Sequence, residues 1–415
     1  MDALLSTINA LRAVPPAPWR DKVRRVAVIL TSSRSGSSLF KETLTRHPDI
    51  AALDGEMVPF LTLSGNGFGQ DPACTSDAIT HLRHADALAN HVFDGLTVAA
   101  RQLAPQAELH ARWCRRLLLQ FPALFAAPDE YARLQHSLGE ALAYVCGRGD
   151  QLTQREAVQV VLGGVFWRER WRIDYYDGRL GPGEARPFAE ATKIEEPPFV
   201  QPVLRRRRCT EADVSGKVLL FKTPSDAYRP GLYQQLFPQA EIRYIHLTRG
   251  YAQSVNGLID GWLSQTGFFA HDMAHAGIRL QISGYSERFA FGQRWWKFDL
   301  PPNWREFTPA SLEDVCLNQW LSCHRHIMDS GLPMRRIAFE DFLADPAATL
   351  AQVCKWLELG PAPAIGDLPV TMATEAPAAA RWHKRHDLLL PMVRRTDVAQ
   401  TMRELGYRLE PESWQ

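Results

Sequence analysis

The first clear element along the chain is an unbroken apolar run, Arg25-Val26-Ala27-Val28-Ile29-Leu30. A run without polar alternation suits a strand buried on both faces, as in a parallel sheet. Upstream, residues 2–13 have helical spacing and stop at Pro15-Pro16. Downstream, a polar stretch from Thr31 to Ser38 with one glycine leads into Leu39 to Arg46, which has helical spacing and ends before His47-Pro48. The unit reads strand, tight polar loop, helix. A second such unit occupies 217–260, with a strand over Lys217 to Phe221, a helix over Pro230 to Phe237, a strand over Ile242 to Leu247 and a helix from Ala252 to Trp262. Alternation of this kind predicts an α/β fold with a mostly parallel sheet flanked by helices.

Residues 60–200 follow a different rule. The segments 76–105, 108–127, 129–147 and 154–170 have helical spacing and few strand runs. They predict a helical cap inserted into a single domain spanning 1–415. An aromatic stretch at 268–304 precedes predicted helices at 311–329, 346–358 and 394–405. The run Arg205-Arg206-Arg207-Arg208 reads as a solvated loop, the usual fate of like charges in series.

Composition changes the picture mainly by exclusion. The chain has 415 residues, 46% hydrophobic and 22% charged, enough apolar surface for a folded core. A net charge of +1 provides no global field for nucleic acid or an acidic membrane. Seven cysteines, an odd number without paired spacing, predict neither a disulfide framework nor a zinc site and fit a cytoplasmic protein. Met1 to Arg25 lacks the pattern of a signal peptide, and no apolar run is long enough to span a membrane.

The chemistry concentrates in Thr31-Ser32-Ser33-Arg34-Ser35-Gly36-Ser37-Ser38. A helix N-terminus offers unpaired N–H groups and about half a positive charge, so it attracts anions. Gly36 permits close backbone approach, Ser35, Ser37 and Ser38 add hydroxyls, and Arg34 adds a charged fork. The GxxxxGK[ST] pattern of nucleotide triphosphatases is absent, because there is no first glycine and no lysine after Gly36. The loop is P-loop-like. A serine-rich helix cap beside an incidental arginine is the plainer reading of the same residues.

Arg34-Ser-Gly-Ser-Ser-Leu-Phe resembles the 5′-phosphosulfate loop of sulfotransferases that use 3′-phosphoadenosine 5′-phosphosulfate (PAPS). The resemblance continues in order through His47-Pro48-Asp49-Ile50, Gly55-Glu56, Phe221-Lys222-Thr223-Pro224, Leu236-Phe237-Pro238, Ile245 to Arg249, and Phe339-Glu340-Asp341-Phe342 with Asp345-Pro346. Arg381-Trp382-His383-Lys384 is similar to the family's C-terminal basic strip, and the bacterial and tyrosylprotein branches match best. The resemblance implies roles for single residues. Lys222, with Arg34, would neutralise charge on the bridging oxygen as sulfuryl leaves; Arg249 would hold the 3′-phosphate, aided by Arg381 and Lys384. Glu56 would be the general base, with Asp54 as a fallback. Where the family usually has serine, position 257 is glycine, so Ser254 and Asn256 are the substitute donors. His47 and His246 read as structural, and Glu340 and Asp341 as ties within the core.

PAPS is thus the expected co-substrate, without metal. The acceptor expected is a small molecule, lipid-like alcohol or natural product, because the cap is large and Phe268, Phe269, Tyr285, Phe289, Phe291, Trp295, Trp296, Phe298 and Trp304 could line its pocket. Core packing is the alternative use of those rings. Two other functions fit parts of the pattern: an ATP-dependent P-loop-like kinase, and a nucleotide-binding protein of this fold without chemistry.

Overall fold

The computed structural model describes residues 2–173, 192–196, 200–366, 368, 378 and 380–414. Its centre is a seven-stranded sheet built from β1 (Arg25–Leu30), β2 (Ile50–Leu53), β3 (Leu96–Ala99), β4 (Arg206–Arg208), β5 (Val218–Lys222), β6 (Glu241–Thr248) and β9 (Met334–Ala338), in the order β4-β3-β2-β5-β1-β6-β9. The five strands from β2 to β9 in that order run parallel. A separate antiparallel ribbon joins β7 (Phe269–Asp272) to β8 (Trp295–Lys297).

β1 is the hub. It pairs with β5 from Arg25↔Val218 to Ile29↔Lys222 and with β6 from Arg25↔Glu241 to Leu30↔His246. From β1 the chain moves to β2 on one side and later to β6 on the other. Such a reversal opens a crevice at the carboxyl ends of the strands, where open α/β sheets bind ligands. The apolar run of β1 faces helices on both sides: Val26, Val28 and Leu30 pack into one core, and Ala27 and Ile29 into another with Phe40, Leu44 and Phe342.

Several expected elements form within a residue or two of their predicted ends, including the helices Asp2–Arg12, Pro128–Arg148, Tyr251–Leu263, Leu312–Asp329 and Thr396–Glu404. Two readings need correction, and a third reaches beyond the described residues. The helical spacing across 76–105 resolves into a helix, Ala85–Gly95, followed directly by strand β3, antiparallel to β2. The predicted cap reaches residue 200, but 174–191 and 197–199 lie outside the described residues. The arginine run is not a solvated loop: Arg206–Arg208 forms strand β4 on β3. Arg206 is buried, donating to Thr97 Oγ1 (2.8 Å), Thr97 O (2.6 Å) and Thr45 O (2.6 Å). A like-charge run folds here because carboxylates meet it, Asp213 at Arg207 (2.6 Å) and Asp94 at Arg208 (2.8 Å). Among the described residues, no helix is long and apolar enough to cross a membrane.

Candidate active site

Each of the five parallel strands delivers a side chain to one cleft at its carboxyl end: Glu56 after β2, Lys222 closing β5, the loop 31–36 after β1, Arg249 after β6, and Phe339 with Glu340 after β9. The cleft is large, ≈ 2210 Å³.

The loop turns sharply into the helix Ser37–Leu44. Arg34 and Gly36 both have positive φ, +64° and +83°. Gly36 has a second reason to be glycine: a Cβ there would lie 2.3 Å from the Phe339 ring. Thr31 Oγ1 anchors the loop, 2.9 Å from the Leu247 carbonyl and 2.5 Å from Ser35 Oγ. Ser35 is therefore turned inward and fully buried, whereas Ser33, Ser37 and Ser38 line the cleft. Ser33 Oγ donates to Asp299 Oδ1 (2.6 Å), and Tyr228 donates to the other oxygen (2.8 Å). Burial outweighs these bonds and raises the Asp299 carboxyl to about 6.

Lys222 Nζ lies 2.6 Å from Glu56 Oε1 and 3.4 Å from Ser38 Oγ. The Glu56 backbone is pinned on both sides. Lys41, from the helix after the loop, donates to the carbonyls of Leu53 (2.6 Å) and Gly55 (2.8 Å), and Met57 N–H donates to Thr223 Oγ1 (3.1 Å). Burial, reinforced by Lys222, lowers the Lys41 ammonium to about 7. Asp54 is occupied by Arg112 (2.8 Å). Burial pushes its carboxyl up, but Arg112, Arg206 and Arg116 outweigh burial and hold it below the usual range. Asp54 thus lines the cleft but is held in an ion-pair cluster with Arg112 and Arg206.

On the other side of the loop, Arg249 donates to the Arg34 carbonyl (3.0 Å) and lies 5.3 Å over the Phe339 ring. Arg34 lies 5.1 Å over Phe268. Burial first, then repulsion from Arg249, lowers the Arg34 guanidinium to about 10. Glu340 fixes the turn after β6, accepting from Gly250 N–H (2.8 Å) and the Tyr407 hydroxyl (2.9 Å). Asp341, also expected to tie the core, is exposed instead.

Gly257 faces Arg34, and a Cβ at 257 would stand 3.3 Å from Arg34 Cβ. The glycine thus gives the strained Arg34 room on the helix Tyr251–Leu263. Ser254 and Asn256 do not reach the cleft: both are buried, Ser254 near the Arg249 carbonyl (3.5 Å) and Asn256 bonded to Arg385. Arg381 lines the cleft, Lys384 does not, and both meet Asp260, at 3.0 and 2.9 Å.

His47 and His246 are buried away from the cleft. His47 Nδ1 accepts from Asp49 N–H (3.1 Å), and His246 Nε2 lies 2.9 Å from His324 Nδ1. Burial, with Arg336 nearby, lowers His246 to about 4. The aromatic stretch divides. Phe268, Phe269, Trp295 and Phe298 line the cleft, while Tyr285, Trp296 and Trp304 are core.

Sequence reasoning missed Lys41, Asp299 and Phe339 as parts of this site. Lys41 reads as an ordinary helix lysine, and its partners are carbonyls that leave no mark in sequence. Asp299 and Phe339 reach the loop from the ribbon and from β9, which no local pattern reveals.

No protein-family model matches the chain, and no curated protein matches it by sequence. Among solved structures it is similar to three sulfotransferases. The sulfotransferase domain of the curacin biosynthetic pathway is 12% identical, with a TM-score of 0.41 over 94% of this chain and 99% of that one. The sulfotransferase domain of the Synechococcus PCC 7002 olefin synthase is 14% identical, with a TM-score of 0.38 over 94% and 96%. A sulfotransferase from Alicyclobacillus acidocaldarius is 11% identical, with a TM-score of 0.34 over 93% and 97%.

Proposed function

We propose that the protein transfers a sulfuryl group from PAPS to the hydroxyl of a small, largely apolar acceptor. One observation carries the reading: a lysine and a carboxylate in contact, Lys222 and Glu56, stand beside the loop 31–36 at a helix N-terminus, with Arg34 in the loop and Arg249 bonded to its backbone. That is an acid–base pair and a guanidinium pair around one loop.

The residues suit the donor. Loop N–H groups and the hydroxyls of Ser37 and Ser38 would bind its 5′-phosphosulfate at the start of the helix Ser37–Leu44. Arg249 would take the 3′-phosphate, with Arg381 beside it. As the acceptor oxygen bonds to sulfur, the bond from sulfur to the bridging oxygen breaks and its electron pair stays on the departing bisphosphate. Lys222 would stabilise that charge, a contribution larger in the transition state than in the ground state. Glu56 would take the proton of the acceptor hydroxyl. The cleft exceeds the usual volume of a single-ligand pocket, about 300–1,000 Å³, so donor and acceptor fit together. Phe268, Phe269, Trp295 and Phe298 would form the acceptor wall.

The test is thermal unfolding with 3′-phosphoadenosine 5′-phosphate, with ATP and magnesium in parallel. At ~100 times its dissociation constant a ligand adds roughly 2.7 kcal/mol to the native state. A rise in Tm with the bisphosphate, followed by sulfate transfer in an acceptor screen, supports the reading. A response only to ATP and magnesium replaces it with a kinase. Bisphosphate binding without transfer to any acceptor replaces it with a binding protein.

A further inference from the structure

Behind the strand and loop that lead to Glu56 lies a second, much smaller chamber, ≈ 30 Å³, lined by Arg12, Arg112, Arg115, Arg116, Asp54 and Asp94 among others. That exceeds the ~10–15 Å³ needed to hold one water, so it has room for a small ion such as a halide.

The charges around it do not balance. Arg112 meets Asp54 at 2.8 Å, Arg12 and Arg115 share Asp94, and Arg116 meets Glu195 at 2.5 Å. Arg206 stands 3.9 Å from Asp54, Arg208 2.8 Å from Asp94, and Glu108 3.9 Å from Arg112. Among the described residues, six guanidinium groups therefore face four carboxylates. Neighbouring His91 does not change the difference: burial and Arg12 lower it to about 3, so it is neutral.

Arg12 carries the imbalance. Its side chain is 2% exposed. Its Nη1 lies 2.9 Å from His91 Nδ1 and its Nη2 a long 3.5 Å from Asp94. Its Nε, also buried, has no hydrogen-bond partner among the described residues. An unmatched buried charge is costly unless an opposite charge meets it. We infer that the chamber binds a single monoatomic anion, chloride in ordinary salt, held among Arg12, Arg112, Arg115 and Arg116. The site is independent of the proposed transferase activity, although Asp54 forms part of its wall and lies two residues before Glu56.

The test compares thermal unfolding of the full chain in sodium chloride, sodium bromide and sodium gluconate at one ionic strength. Either halide is expected to raise Tm above gluconate by on the order of 2 °C, and Arg12→Met is expected to abolish that difference. Equal Tm values in the three salts, or a halide difference that survives in Arg12→Met, overturns the inference. Should Arg12→Met fail to fold, crystals of the unaltered protein grown in bromide decide the matter. An anomalous bromide peak in the chamber supports the site, and a chamber holding only water overturns it.

Discussion

Lys222 Nζ and Glu56 Oε1 stand 2.6 Å apart, yet Lys222 is nearly enclosed while the Glu56 side chain remains 38% exposed to the cleft. The lysine is fixed and the carboxylate can reach a second molecule. If both act on one transfer step, Lys222→Ala should lower kcat by about 10²–10³-fold, with Tm close to the parent value. Glu56→Gln should lower kcat by about 10²-fold with unchanged affinity for the bisphosphate. Steady-state kinetics with calorimetry checks both. Near-parental turnover in Lys222→Ala would remove its assigned role, and unfolding of Glu56→Gln would make that residue structural.

Gly36→Ala places a methyl group inside the Phe339 ring at a backbone angle that alanine adopts with strain. A loss of about 2 kcal/mol or more is expected, with loss of bisphosphate binding. Adding Phe339→Ala should restore only the part due to the collision. Chemical denaturation of both variants separates the two costs; an unaffected single variant would contradict the geometry.

Asp299 makes stability depend on pH in a defined direction. Burial raises its carboxyl from 3.8 to about 6, so the folded state holds the proton more tightly than the unfolded chain does. Its contribution is fully present below pH ~4, declines as pH rises toward ~6 and is then lost, a total of about 3 kcal/mol. Relative to Asp299→Asn, the parent should thus lose stability between pH 4 and 6 and run parallel above it. Urea unfolding across that range checks the sign; a parent that gains on the variant as pH rises would refute it.

Arg205 and Arg206 are neighbours in one basic run but should behave differently. Arg206→Met strands buried carbonyls and weakens the pairing of Asp54, which should cost about 3 kcal/mol. Arg205 is exposed, and Arg205→Met should change stability by no more than about 0.5 kcal/mol. Equal effects in denaturant would return the run to a solvated loop.

β1 and β5 announce themselves by runs of apolar residues, and β6 by Ile242, Tyr244, Ile245 and Leu247 between polar ones; each leads to a residue of the site. β3 and β4 did not, for physical reasons. β3 is four residues long and follows a helix without a break, so a period of two cannot establish itself. β4 is three arginines whose strand character comes from pairing with β3 and from distant carboxylates. At the site, Arg34, Gly36, Ser37, Ser38, Glu56, Lys222 and Arg249 converge on the cleft, because each lies at the end of a strand or the start of a helix. Ser254 and Asn256 lie near Gly257 in sequence, but their helix turns them inward. The space beside Gly257 is filled by Arg34.

The central position of β1 also bears on how the chain emerges from the ribosome. Its two partners, β5 and β6, begin at residues 218 and 241. The apolar segment Val26–Leu30 is therefore synthesised long before either partner, with both edges open, a template for pairing with other nascent chains. Long-range parallel pairing is also slow to form. The arrangement that places the loop 31–36 at the centre of the sheet thereby leaves the edges of β1 without their partners until β6 has left the exit tunnel.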